Sequence, residues 1–237
     1  MSDSFLDIRR VMLSNGVGVE QGQDEKLRRY VTLLLEWNRR VNLISRRDEE
    51  NIWENHILHS LAPLFVTEIP PGACVLDLGT GGGLPGVPLG ILRSDLKITL
   101  LDSIRKKILA LEDIIRALGA DNLRTLLGRA EEIAGSDVAG TFDIVLARGV
   151  GPLVDLIRWS KPLVRRGPAS VGPRATGGKK REVVPPALVA WKGGDVEAEV
   201  RLATTKTKVQ RIDVVDLVFA GSSGLGLEGK KLIVVPL

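Results

Sequence analysis

The chain has 237 residues, 44% of them hydrophobic, and a formal net charge of +4; this suffices for one good core, or a core with a small appended domain, and excludes a disordered or fibrous protein. The single cysteine, Cys74, excludes an intramolecular disulfide and points to a reducing compartment. No stretch approaches the roughly 18 apolar residues of a membrane span and the N-terminal MSDSFLDIRRVML lacks an apolar signal core, so a cytoplasmic location is expected.

In chain order, Tyr30, Leu33, Leu34, Trp37 and Val41 fall on one helical face, and a second periodic run passes through Ile52, Ile57, Leu58, Leu61 and Leu64. Pro70-Pro71-Gly72 ends this helical part. Short buried strands follow at ACVLDLG (73–79), LKITLLD (96–102), NLRTLLG (122–128), TFDIVLAR (141–148) and ALVAWKG (187–193). Between the second and third, Ile104, Ile108, Leu111, Ile115 and Leu118 trace a helix closed by Gly119. Such alternation predicts a parallel sheet covered on both faces. VQRIDVVDLVF and KKLIVVPL, joined by a Gly/Ser-rich turn, predict an antiparallel hairpin at the sheet edge.

LDLGTGGGLPGVP (76–88) lies where the first of these strands meets the next helix. Ligands of open α/β sheets bind at the carboxyl ends of strands, and Gly79, Gly81 and Gly83 allow close approach to main-chain N–H groups. The second strand ends in Asp102, whose carboxylate suits the two hydroxyls of a ribose. Two cofactors compete. Gly81, Gly83 and Gly86 satisfy G-x-G-x-x-G for a nicotinamide dinucleotide, but Pro85 and Pro88 hinder the helix start that a pyrophosphate needs. Asp77 adds a second carboxylate, suited to a cationic ligand, and S-adenosylmethionine carries both an ammonium and a sulfonium.

The segments YVTLLLEWNRRVNLISRRDEENIWENHILHSLAP, DLGTGGGLPGVPLGI, LLGRAEEIA, FDIVLARGVGPL and ALVAWKGG together resemble the bacterial RsmG family, also called glucose-inhibited division protein B. The resemblance implies a Rossmann-like class I methyltransferase with a mostly parallel seven-stranded sheet, preceded by a small helical N-terminal domain. Its implied reaction is transfer of a methyl group from S-adenosylmethionine to N7 of a guanine in the decoding-region loop of 16S ribosomal RNA. The family's cofactor contacts fall on Gly79, Leu84, Ala130, Glu131 and Arg148, with Asp77, Gly81 and Asp102 added by the wider methyltransferase pattern. Arg148, leaving a buried strand where the target base should enter, is also expected to position substrate; without the family, a salt bridge is the competing role. The expected partner is 16S ribosomal RNA or the small ribosomal subunit, met by a monomer with no membrane or metal. Similar proteins usually have aspartate at His59, alanine at Gly149 and a compact turn before the fifth strand, where this chain inserts a longer stretch.

Guanine N7 has a free lone pair and no proton to remove, so the reaction needs positioning rather than a general base. This agrees with the lack of an evident acid–base pair. A nicotinamide-dependent oxidoreductase and a non-catalytic RNA-binding module with a vestigial nucleotide site remain as alternatives. His56 and His59 share a helix face but lack further zinc ligands. Trp37 and Trp53, among Arg39, Arg40, Arg46 and Arg47, invite an RNA-stacking role, which the periodicity of Trp37 opposes in favour of core packing. The domains are expected at 1–70 and 71–237, with residues 167–186 a flexible insertion. Seven bases and no acid lie between Lys161 and Arg181, a concentration of charge that would attract phosphates.

Overall fold

The computed structural model describes residues 2–166 and 180–237. Helices α1 (Ser2–Ser14) and α2 (Gln23–Asn38) open the chain, and α2 buries Leu27, Tyr30, Val31 and Leu34. A 3-10 turn at Arg46–Asp48 leads into the second periodic run. That run is not one α-helix. A π-helical turn covers Trp53–Leu58, followed by α3 (His59–Leu61) and α4 (Pro63–Val66). Pro63 occupies the first helical positions of α4, where its missing N–H costs nothing.

After the two-residue β1 (Thr67–Glu68) come the central strand β2 (Cys74–Leu78), α5 (Gly86–Leu92), β3 (Lys97–Asp102) and α6 (Arg105–Leu118). Gly119 closes α6 in the left-handed conformation, as its position in the sequence predicts. The chain continues through β4 (Leu123–Leu127), α7 (Ala130–Ile133), β5 (Ile144–Arg148) and α8 (Leu153–Ser160). Past β6 (Arg181–Glu182) lie β7 (Ala187–Gly193), α9 (Glu197–Thr207), β8 (Asp213–Asp216) and β9 (Lys230–Pro236).

The main sheet has seven strands in the order β4-β3-β2-β5-β7-β9-β8. Strands β4 to β7 are parallel along this order, whereas β9 runs antiparallel to both β7 and β8. The expected hairpin therefore forms, with β8 at the edge. From β2 the chain first builds outward through β3 and β4, then returns to place β5 on the other flank. The reversal leaves a crevice at the carboxyl ends of β2 and β5, where open α/β sheets bind ligands.

Two buried clusters cover the two faces. One contains Val75, Ile98, Leu100, Ile144 and Leu146 from the sheet together with Ile8, Leu27, Tyr30, Ile57 and Leu61, so the N-terminal helical part shares its core with a face of the sheet. The other packs Leu76, Leu78, Leu101, Val145 and Ala147 against α8 and α9 through Leu153, Leu156, Ile157 and Ala203.

Of the predicted insertion, residues 167–179 lie outside the described residues. The expectation of a free loop is corrected for residues 180–186. Here β6 pairs with β1, the N–H of Val183 donates to the carbonyl of Glu68 at 3.0 Å, and the Val183 side chain is completely buried. Lys180 Nζ donates to the carbonyl of Leu64 at 2.6 Å, and Arg181 pairs with Asp213. Lys161 and Arg165 are tied down likewise, by the carbonyls of Thr207 and Thr141. A residue's charge is readable in sequence; its internal partner is not.

Candidate active site

The glycine run turns the chain from β2 into α5 under tight packing. Gly79 has φ +68°, and a Cβ there would lie 2.8 Å from Val150 Cγ2. At Gly86 a Cβ would meet Leu100 Cδ2 at 2.3 Å, so only glycine lets α5 sit this close to β3. Helix α5 does begin inside the glycine run, and Pro88 lies in its first turn, where an N–H has no helical partner to lose. The predicted obstruction by the prolines is thus corrected. What opposes a pyrophosphate is different: the Gly86 N–H donates to Asp77 Oδ2 at 2.8 Å, the Val87 N–H to the Gly83 carbonyl at 2.7 Å, and Pro88 has none. The first turn of α5 keeps no amide for an anion.

Asp77 also accepts from Thr80 Oγ1 at 2.6 Å, while its Oδ1 has no partner. Burial, partly opposed by these hydrogen bonds and by Arg148, pushes its pKa up to about 6. The Asp77 side chain, expected to suit a cationic ligand, is fully buried here and braces the loop from beneath. Leu84 is buried as well, in the core cluster under the sheet's helical cover. Tyr30 of α2 holds the loop from the opposite side, its hydroxyl donating to the Gly82 carbonyl at 2.8 Å.

Asp102 lines a cavity of about 360 Å³ together with Gly79, Ile104, Lys107, Ala130 and Glu131. Its Oδ1 accepts from the N–H of Ile104 at 2.9 Å and its Oδ2 from that of Gly81 at 3.0 Å; the nearest cation, Lys107 Nζ, stands at 3.8 Å. Both oxygens are oriented by main-chain donors, and each retains lone-pair capacity for a hydroxyl. This pair of oriented acceptors fits the hydroxyls of the ribose of a nucleoside cofactor. Ala130 and Glu131, at the start of α7, form the wall beyond β4.

The larger, 390 Å³ cavity lies alongside and is lined in part by His56, His59, Arg148, Val150, Trp191 and Lys192. Val150, which packs on Gly79, lines both cavities. Arg148, the last residue of β5, donates from Nη2 to His56 Nδ1 at 3.1 Å and from Nη1 to the carbonyl of Asn55 at 3.4 Å. Among the described residues it forms no ion pair, which removes the salt-bridge reading of this arginine. Burial and the Arg148 charge push His56 down to about 4, against the pull of Asp48, and His59 to about 3. Both imidazoles are neutral at neutral pH. Trp191 Nε1 donates to the His59 carbonyl at 2.9 Å, and Lys192 Nζ is held by Glu199 and the Gly151 carbonyl.

The structure thus gathers Gly79, Asp102, Ala130 and Glu131 in one cavity, with Arg148 in the next. Gly81 serves through its bond to Asp102, and Asp77 and Leu84 line neither cavity. Sequence reasoning missed Tyr30, Asp48, His56, Trp191 and Lys192 as parts of the site.

A family profile described as rRNA small subunit methyltransferase G, or GidB, matches residues 23–174. The chain belongs to this family. Curated relatives with the printed name ribosomal RNA small subunit methyltransferase G include one from Bacteroides fragilis, 38% identical over 181 residues, covering 76% of this chain and 80% of the relative. One from Chlorobium luteolum is 43% identical, covering 65% and 63% respectively, and one from Pelodictyon phaeoclathratiforme is 35% identical, covering 89% and 82%. The methyltransferase G profile spans Tyr30, Asp48, His56, the glycine loop and Arg148, while Trp191 and Lys192 fall beyond it. Two solved structures share the fold. Aeropyrum pernix fibrillarin, solved with natively bound S-adenosyl-L-methionine, has a TM-score of 0.51 at 17% identity, covering 77% of this chain and 75% of that one. A methyltransferase from Aquifex aeolicus described as S-adenosylmethionine-dependent also scores 0.51, at 15% identity, covering 80% and 94%.

Proposed function

We propose that this chain uses S-adenosylmethionine to methylate N7 of a guanine in the decoding-region loop of 16S ribosomal RNA, free or within the small subunit. The observation that carries the reading is that two neighbouring cavities share Val150 as a wall, one holding an oriented carboxylate and the other lined by Arg148, Lys192 and Lys230 with no carboxylate among its lining residues. When bound, the cofactor supplies an electrophilic methyl group on a sulfonium. Asp102 accepts the ribose hydroxyls, Gly79 leaves the main chain open, and Ala130 and Glu131 wall the adenine end. Asp77, Gly81 and Leu84 act through the loop: the first two by their hydrogen bonds, Leu84 by anchoring it in the core. Arg148 positions the acceptor against the methyl group.

Among the described residues, the acceptor side has no group prepared to remove a proton. His56 and His59 hold protons weakly, and Lys192 is engaged by Glu199 and a carbonyl. An acceptor that must lose a proton would be poorly served, whereas a purine N7 needs no base. The helical residues 1–70 complete the site by holding Gly82 and Arg148. The compartment expected for such a substrate is the cytoplasm.

The test is transfer of labelled methyl from S-adenosylmethionine to unmodified 16S ribosomal RNA and to small subunits carrying it. The label should map to one guanine and make that position sensitive to reduction and aniline cleavage, the behaviour of an N7-methylated base. Absence of transfer, or label on another atom, would overturn the assignment.

A further inference from the structure

Arg148 is anchored in an unusual way for a half-buried cation. Arginine has only donors to offer, so the imidazole nitrogen that accepts from Nη2 at 3.1 Å, His56 Nδ1, must be unprotonated. The imidazole proton therefore resides on Nε2, which is buried and has Asp48 Oδ2 at 3.5 Å without a formed hydrogen bond. Asp48 is itself fixed by the Asn55 side chain, whose main-chain carbonyl takes the second bond from Arg148. The π-helical turn over Trp53–Leu58 brings the Asn55 carbonyl and the His56 ring to the guanidinium together. A carboxylate in place of His56 would fix the guanidinium and also cancel its charge. A neutral acceptor fixes its direction and leaves the charge available.

We propose that His56 and Asp48 are positioning residues for methyl transfer: His56 aims the Arg148 guanidinium along the cavity wall, and the Asp48 charge beside Nε2 favours the His56 tautomer that accepts from it. The proposal rests on the methyltransferase reading above. The remaining guanidinium donors meet an oxygen acceptor near the Val150 wall that the cavities share, either a carbonyl of the acceptor base or the carboxylate of the cofactor's methionine half.

His56→Asn places a carbonyl oxygen near the former Nδ1, whereas His56→Leu leaves no acceptor. Methyl transfer at saturating cofactor should fall at least tenfold in His56→Leu and recover to within about threefold of the parent in His56→Asn, at similar melting temperatures. Asp48→Asn should give an intermediate loss, and serves as the second probe if His56→Leu folds poorly. In an Arg148→Ala background His56→Leu should cost almost nothing more, since its partner is gone. A loss confined to kcat/KM for RNA places the oxygen on the acceptor base; weaker binding of S-adenosylmethionine in calorimetry places it on the cofactor. Equal activity in the Leu, Asn and parent proteins, or an undiminished cost of His56→Leu without Arg148, would overturn the proposal. If the parent methylates no RNA, the reaction assignment fails instead. The positioning claim is then decided by the Arg148 Nε–H signal in nitrogen-15 spectra, which must shift in His56→Leu and be restored in His56→Asn, or the proposal falls.

Discussion

Replacing Gly79 by alanine tests how the loop and both cavities depend on one missing methyl group. The backbone at Gly79 is left-handed, with φ +68°, and carrying a side chain there costs about 1–2 kcal/mol. The new Cβ would also stand 2.8 Å from Val150 Cγ2, against an ordinary contact that begins at 3.4 Å. Val150 is only half-buried and has room to yield, so this overlap adds about 1 kcal/mol, the low end for overpacking. The sum of about 2–3 kcal/mol should lower the melting temperature by about 4–12 °C in a chain of this size. Because Val150 borders both cavities, its displacement should also weaken S-adenosylmethionine binding and slow methyl transfer. Calorimetric melting and isothermal titration are the assays. Gly79→Ala combined with Val150→Ala should regain cofactor binding while keeping the backbone penalty. A Gly79→Ala protein that melts within a degree of the parent and binds cofactor as tightly would refute the reasoning.

Asp102→Ala removes the proposed ribose acceptor and the partner of the Gly81 and Ile104 amides; with each charge-assisted bond contributing about 1.5–3 kcal/mol, S-adenosylmethionine affinity should fall more than tenfold by titration calorimetry. Unchanged affinity would mean the site is misplaced. Asp77 has a folded-state pKa raised to about 6 from 3.8, so its protonated form favours folding, and this contribution is lost as pH rises from about 4 through 6. The melting temperature of Asp77→Asn minus that of the parent should therefore climb across that window and level off above it; a flat difference would contradict the burial argument. Lys180→Ala should lower the melting temperature by removing the bond to the Leu64 carbonyl while leaving the salt dependence of RNA binding unaltered, because an internally bonded ammonium displaces few counterions.

Much of the fold is legible because the relevant signals are local. Each parallel strand follows a short apolar run, and Gly119 ends α6 where its freedom of φ is needed. The π-turn has a signal too: Ile52 and Ile57 are both buried at a spacing of five, wider than an α-helical turn places one face. A reading that looks for a period of 3.6 absorbs this spacing into a single helix. Of the expected site residues, Asp102 is legible from the end of its strand, whereas Ala130, Glu131 and the role of Arg148 rest on the family resemblance.

Asp77 shows how strand parity places a strand-end residue. Side chains alternate across a strand, so Asp77 shares a face with Val75, which packs into the cluster formed with the N-terminal helices, while Leu76 and Leu78 point to the other face. A carboxylate on the Val75 side must enter the space beneath α5, where the Gly86 amide awaits it. By contrast, no local pattern assigns Tyr30 to Gly82 or His56 to Arg148, contacts that join residues 52 and 92 positions apart. Tyr30 lies on an apolar helical face and His56 on an amphipathic one, so each is indistinguishable in sequence from a residue that merely packs. What gives them a role is the closure of the N-terminal segment over the carboxyl ends of β2 and β5. Residues before the first strand of the main sheet thereby hold both the glycine loop and the one arginine expected to meet the acceptor.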